Sequence, residues 1–497
     1  MKERNIKNNL RCHIISVILL GLIIVATFGC KKFIEVGAPV TSINAGNVYT
    51  ADATAIAVLT GIYLNMSIDD NNSLVNTGAG FVCMSLYPGL SADELTLYSG
   101  VTDIAINAYY KNSLNNSNTG PTDFWNKIYP VIYKINAAIE GLNASGTLTK
   151  SVKNQLLGEA YFLRAFSYFQ LVNLYGDIPL VLNTDYNQSS MQANVPKDQI
   201  YIQMVQDLLE AQNLLADVYY DATLFNQTSE RVRPNKSAAT ALLARVYLFK
   251  GDWSDAETQS TVIIKNSATY DIVPLDDVFL RNSKETIWAL QPVDVGLNAN
   301  TGEGRLFILP STGPSANFPD YRPVYLNNNL INSFETGDQR LSKWIRTVSV
   351  SGIDYSYAYK YKIGYENTTA KEYPIVLRFS EQYLIRAEAR ARQGNVIGVN
   401  SAKSDLDVIR RRAGLPGTGA ATEANIISAI IDERRHELFT EWGLRWLDLK
   451  RTNLVNSVMP SITSQKGGTW DNRWALYPIP LSVVQISPNL KQNPGYE

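Results

Sequence analysis

Cysteine and histidine are nearly missing from this chain: its 497 residues hold three of the first and two of the second. Cys12, Cys30 and Cys83 are too few and too scattered for a disulfide framework or a cysteine-held metal site. His13 and His436 cannot supply a His-based triad set or an H-E-x-x-H zinc motif, and no G-x-x-x-x-G-K-[ST] phosphate loop appears. Excess charge is lacking too, with 45 Lys and Arg against 46 Asp and Glu. That balance gives no basic field for nucleic acid and no strong acidic field. Long hydrophobic runs are also absent near the start: the charge-free stretch Ile14 to Phe28 has fifteen residues, short of the roughly 20 that a spanning helix needs.

What is present begins with an export signal. Lys2, Arg4, Lys7 and Arg11 precede that apolar run, which ends in Gly29-Cys30. A basic n-region, a short h-region and a small residue before cysteine resemble a bacterial lipobox, here Thr27-Phe28-Gly29-Cys30. In signals of that kind the cysteine is lipidated and becomes the mature N-terminus. Loss of residues 1–29 would leave 468 residues, with 41 basic and 45 acidic side chains and Cys83 as the one free thiol. The alternatives are an uncleaved anchor or a plain signal with a chance cysteine.

The chain beyond reads as helices in pairs. In 157–175, Leu157, Tyr161, Ala165, Tyr168, Val172 and Tyr175 recur at steps of four or three, with Phe162, Phe166 and Phe169 beside them. So wide an apolar face requires burial by other helices. Gly176 and Pro179 stop it. Helices are also expected over 51–65, 124–143, 198–215 and 237–249, with 124–143 antiparallel to 157–175. The segments 241–264 and 383–409 share the turn-and-second-helix spacing of a tetratricopeptide repeat, Gly251-Asp252 in one matching Gly394-Asn395 in the other. Between them, 273–374 carries Pro292, Pro310, Pro314, Pro319 and Pro323 and cannot be regular helix. The fold class expected is therefore mainly α: about four helical pairs with a loop-rich insertion, where binding residues tend to sit.

The last third carries IDERRHELFTEWGLRWLDLKR (431–451) and WALYPIPLSVVQISPNLKQNPGY (474–496), and the middle carries LRAFSYFQLVNLYGDIPLV (163–181). Together with the lipid-type signal these closely resemble the SusD/RagB family of outer-membrane lipoproteins of Bacteroidota. The resemblance implies a tetratricopeptide-like scaffold, organised here as signal 1–29, an N-terminal region 30–270 and a C-terminal region 271–497. It also implies a non-catalytic, lipid-anchored surface protein that delivers glycan to a SusC-like TonB-dependent transporter; no cofactor and no metal-binding residues are expected from the sequence, which leaves a structural metal ion open. Its ligand site is implied to lie on loops beside the A-D-E run, here Ala92-Asp93-Glu94.

The residues themselves support two further readings. On one helix from about 423 to 450, Glu441 and Arg445 would pair, as would Asp432 and Arg435, and Leu438, Trp442, Trp446 and Leu449 would be buried. An acid–base role for Glu433 with His436, or Glu437 with Asp448, competes with that architectural reading. A neutral glycan needs aromatic faces for its C–H surfaces and polar groups for its hydroxyls. Two stretches offer both: Tyr98, Asn107 and Tyr110 in 93–110, and Phe318, Tyr321, Arg322 and Tyr325 in 317–325. At least two of the tyrosines are expected on one exposed patch, Tyr98 and Tyr321 nearest the ligand. A surface adaptor for peptides or proteins and a glycoside hydrolase remain open as alternatives.

Overall fold

The computed structural model describes residues 47–67, 82–117, 124–292, 299–317, 320–364 and 369–496, so the signal and Cys30 lie outside the described residues. Residues Tyr49–Glu497 form one compact unit. Its centre is α3 (Lys150–Tyr175), of whose 26 residues 20 are buried. It starts seven residues before the expected 157, with Thr149 at the N-cap position. The phenylalanine stripe explains the burial. Phe162 and Phe166 meet Trp288 edge-on at 4.7 and 5.3 Å, and Phe166 also meets Trp442 at 5.6 Å.

Helices stack on either side of it in sequence order. α1 (Asp52–Ser67) and α2 (Phe124–Ala144) pack against α3, then come α4 (Lys197–Leu214), α5 (Lys236–Lys250) and α6 (Trp253–Lys265). A buried fork fixes three of them: Arg164 of α3 donates to Asp207 of α4 at 2.6 and 2.8 Å and to Asn136 of α2 at 3.1 Å. Helix α6 then packs on α7 (Phe379–Arg392), which pairs with α8 (Ala402–Arg412) and touches α9 (Glu423–Leu438). The two repeat-like hairpins are thus neighbours in space, and the segment between Lys265 and Phe379 loops out of an otherwise continuous helical stack.

That insertion holds most of the small amount of sheet. β1 (Leu95–Leu97) pairs with β3 (Val324–Leu326), β2 (Thr286–Ala289) with β6 (Ile375–Arg378), and β4 (Ile345–Val350) with β5 (Ile353–Ala358), all antiparallel.

One expected helix is broken. Instead of running from 423 to 450, the chain leaves α9 at Leu438 and restarts as α10 (Leu444–Arg451). Thr440, Trp442 and Gly443 have φ of +55°, +51° and +66°. The break lets Trp442 donate its indole N–H to Ile375 O at 2.7 Å, and Glu441 reach Lys360 at 2.5 Å and Arg378 at 2.7 Å. Lys360 Nζ also donates to the carbonyls of Glu437 and Phe439, both at 2.8 Å, so it supplies partners for carbonyls that the interrupted helix leaves open. The expected Glu441–Arg445 and Asp432–Arg435 pairs give way to longer-range ones, since Arg445 and Arg435 both hold Asp93.

Candidate functional site

In the β1–β3 ribbon, Leu95, Leu97, Val324 and Leu326 face the core, and the two-residue pleat sends Thr96 and Tyr325, which lie opposite each other, to the other face. Tyr98 extends the ribbon through its amide bond to Pro323 O at 2.7 Å, and its ring folds back over Gly100. A Cβ at that glycine would stand 2.6 Å from the ring. The β4–β5 hairpin brings Tyr355 against both strands. Its ring meets Tyr325 edge-on at 5.1 Å and Tyr98 at 6.4 Å. Tyr110 joins from the short helix Ile104–Tyr110, with its hydroxyl bonded to Thr96 and its titration raised by burial and by nearby Tyr325. All four rings are half-buried, so each keeps some face open to solvent.

The expected residues therefore divide. Tyr98, Tyr110 and Tyr325 come together, from segments more than 200 positions apart. Tyr321 and Arg322 do not join them: each is only 7% exposed. The bridge between Ser315 and Arg322 closes the loop and turns the guanidinium inward, where it donates to Tyr321 O at 2.9 Å and Ile308 O at 3.3 Å. Tyr321 is thus no stacking surface, which corrects the expectation that it stands nearest a ligand. Asn107 is half-buried and spends its amide on Val101 O and Asp103 O, at 2.9 and 2.8 Å. Phe318 lies outside the described residues. The aromatic hub, Tyr355, was missed although the period-two series Ile353, Tyr355, Tyr357 marks a strand with one aromatic face.

The A-D-E run lies beneath this platform rather than on it. Asp93, 2% exposed, accepts from Arg445 at 2.8 and 2.9 Å and from Arg435 at 2.9 Å. The two guanidiniums hold its carboxyl well below the usual range despite burial. Glu94 beside it is pushed up to about 8 by burial and by the Asp93 charge. A small cavity below holds Glu303, Lys360, Tyr361 and Glu441, where burial lifts Glu303 to about 7 and lowers Lys360 to about 8.

No acid–base pair of the kind weighed above forms. Glu433 is held by Arg340 at 2.6 Å, Glu437 by Arg340 and Arg378, and Asp448 by Arg434 and Arg451. His436 is buried, shares a hydrogen bond with Ser333 at 2.9 Å, and is driven down to about 3 by burial and by Arg340. It is neutral at physiological pH. Among the described residues, no group of three or more His, Cys, Asp or Glu could hold a metal ion.

A helical-repeat scaffold with an aromatic patch on its inserted ribbon has the form of a binding protein. Comparison with known proteins narrows the class. A family model described as starch-binding, associating with the outer membrane, matches residues 90–248, and the SusD family model matches residues 316–496. The chain belongs to the SusD family. A SusD-like protein of Formosa agariphila is 28% identical over 420 residues, 75% of this chain and 80% of its own length. The starch-binding protein SusD of Bacteroides thetaiotaomicron is 32% identical over 128 residues, 24% of this chain and 21% of its own. Among solved structures, a SusD superfamily protein of Parabacteroides distasonis superposes with a TM-score of 0.74 at 23% identity, covering 92% of this chain and all of that one. A laminarin-binding SusD-like protein gives 0.72 at 22%, covering 90% and 100%. The mainly helical, tetratricopeptide-like fold is thereby established.

Proposed function

We propose that the protein is a non-enzymatic surface lipoprotein that binds glycan on the tyrosine platform and passes it to a SusC-like TonB-dependent transporter. The observation that carries the binding step is the meeting of Tyr98, Tyr325 and Tyr355, drawn from three separate segments, at ring distances of 5.1 and 6.4 Å. Sugar rings present apolar C–H faces, which stack on such rings, while hydroxyls bond to polar groups at the rim. A relative named for starch binding and a structural neighbour named for laminarin binding support a glycan as the ligand class. The basic, apolar and Gly29-Cys30 pattern supports a lipid anchor at Cys30.

Tyr355→Ala tests the binding step. Removing the hub should weaken glycan binding by about 1–3 kcal/mol, a loss of roughly five- to 150-fold, with no turnover of glycan by either protein. Isothermal titration against laminarin and starch oligosaccharides measures it. Unchanged affinity for every glycan that the parent binds would refute the assignment. For the anchor, Cys30→Ala should release the protein from the membrane fraction or leave it unprocessed, and persistent lipid labelling would refute it. Co-purification of a TonB-dependent transporter with the tagged protein from native outer membranes tests the partner.

A further inference from the structure

The platform does not end at Tyr355. In the β4–β5 hairpin Tyr355 lies opposite Val348 and Tyr357 opposite Arg346, so pleating puts all four on one face. Tyr357 stands roughly 7 Å further along the strand, and Tyr359 follows with its ring 6.3 Å from that of Tyr357. Two cations close the row. The guanidinium of Arg346 lies 5.2 Å from the centre of the Tyr359 ring, and Lys362 Nζ lies 4.3 Å from the same centre. Arg346 is exposed, and among the described residues no carboxylate is paired with it. Lys362 is half-buried and donates to Lys343 O and Tyr359 O, both at 2.5 Å. The acids nearby are already engaged: Asp276 pairs with Lys343 at 2.6 Å, and Glu372 accepts the amides of Lys362 and Ile363 at 2.7 and 3.0 Å.

Resting on the reading of the tyrosine platform as a glycan site, we infer that its ligand is an anionic glycan whose carboxylate or sulfate ester meets Arg346 while neighbouring sugars stack along Tyr357, Tyr355 and Tyr98. A guanidinium can donate to the hydroxyls of a neutral sugar, but one with no paired carboxylate among the described residues also attracts an anion, which a neutral sugar does not exploit. A guanidinium fork already oriented by stacking on Tyr359 matches a planar carboxylate, and equally the oxygens of a sulfate ester.

The test is titration of the full protein with a polyuronate, its methyl-esterified form, a sulfated polysaccharide and a neutral β-glucan, at low and high salt. Arg346→Gln should lower affinity for an anionic chain about five- to tenfold at low salt, leave the esterified and neutral chains unchanged, and lose its effect as salt screens the charge. The polyuronate and sulfate arms decide which anion is preferred. Arg346 is exposed, so unchanged melting of the variant verifies its fold. If Tyr355→Ala abolishes binding while Arg346→Gln changes no affinity, the platform stands and the anionic specificity is overturned. Equal affinity of the parent for charged and esterified chains overturns it too. If Tyr355→Ala has no effect on any glycan, the platform reading falls and takes this inference with it.

Discussion

Replacing Asp93 by Asn strikes a buried carboxylate that joins the first third of the chain to the last. Its oxygens take the Nε and Nη2 of Arg445 at 2.8 and 2.9 Å and a third bond from Arg435 at 2.9 Å, with all three side chains largely buried. An amide of the same shape leaves two guanidiniums facing each other without their counter-ion. Breaking a buried pair on one side costs about 3–5 kcal/mol. Part of that is recovered here, because Glu94 is protonated largely through burial and the neighbouring Asp93 charge. With Asp93 neutral, Glu94 can ionise and face Arg445, which reduces the net loss to about 2–4 kcal/mol. Denaturant unfolding of Asp93→Asn, Arg445→Met and the double variant measures both the loss and the coupling. The sign with pH follows from the lowered carboxyl: its contribution is complete above the ordinary aspartate range near 4 and is lost as acid protonates it below that. Asp93→Asn should therefore flatten the acid limb of the stability curve. A variant within about 0.5 kcal/mol of the parent, or a coupling energy near zero, would refute the clamp.

Two more outcomes follow from the buried centre. Glu303 is raised from 4.5 to about 7, so it favours the folded state below pH 4.5 and loses that contribution as pH rises to about 7. Glu303→Gln should gain stability relative to the parent across that window, by up to about 3 kcal/mol, and melting curves between pH 4 and 8 that stay parallel would contradict it. Gly443→Ala should destabilise by about 2 kcal/mol or more in thermal unfolding, because φ is +66° and the new Cβ would lie 2.5 Å from Pro88 Cβ and 2.9 Å from Met84 O. Full stability would mean that the α9–α10 break does not depend on this glycine.

Much of the scaffold could be read from periodicity because long helices repeat their apolar residues locally. The 157–175 stripe needed no knowledge of its neighbours, and Gly251 and Gly394 marked turns whose φ of +89° and +80° suit glycine. The break at 439–443 was hidden for the opposite reason. Leu438, Trp442, Trp446 and Leu449 are buried whether or not the helix is continuous. What breaks it is a demand from Lys360 and Arg378, more than 50 residues upstream. The site was legible as composition but not as geometry. Tyr98 and Tyr325 stood out as tyrosines in loops, whereas the inward turn of Tyr321 and Arg322 depends on a bridge to Ser315 that no local pattern signals.

The motifs that carry the family resemblance and the residues that carry the site obey different constraints. Arg434, Glu437, Glu441, Arg445 and Asp448 are each 7% exposed or less, and each is held by a partner outside its own helix. Every one of these charges has been taken out of water, so removing a partner carries a penalty that a surface substitution does not. The platform has no such coupling. Tyr355, Tyr357 and Arg346 sit on a two-stranded hairpin whose outer face can change one side chain at a time at a cost near that of any surface substitution. A rigid ionic core beneath a replaceable aromatic face lets one scaffold accept ligands of different charge and shape. It also means that the ligand has to be read from the hairpin and ribbon, where Arg346 and the tyrosine row are found, and not from the motifs that define the fold.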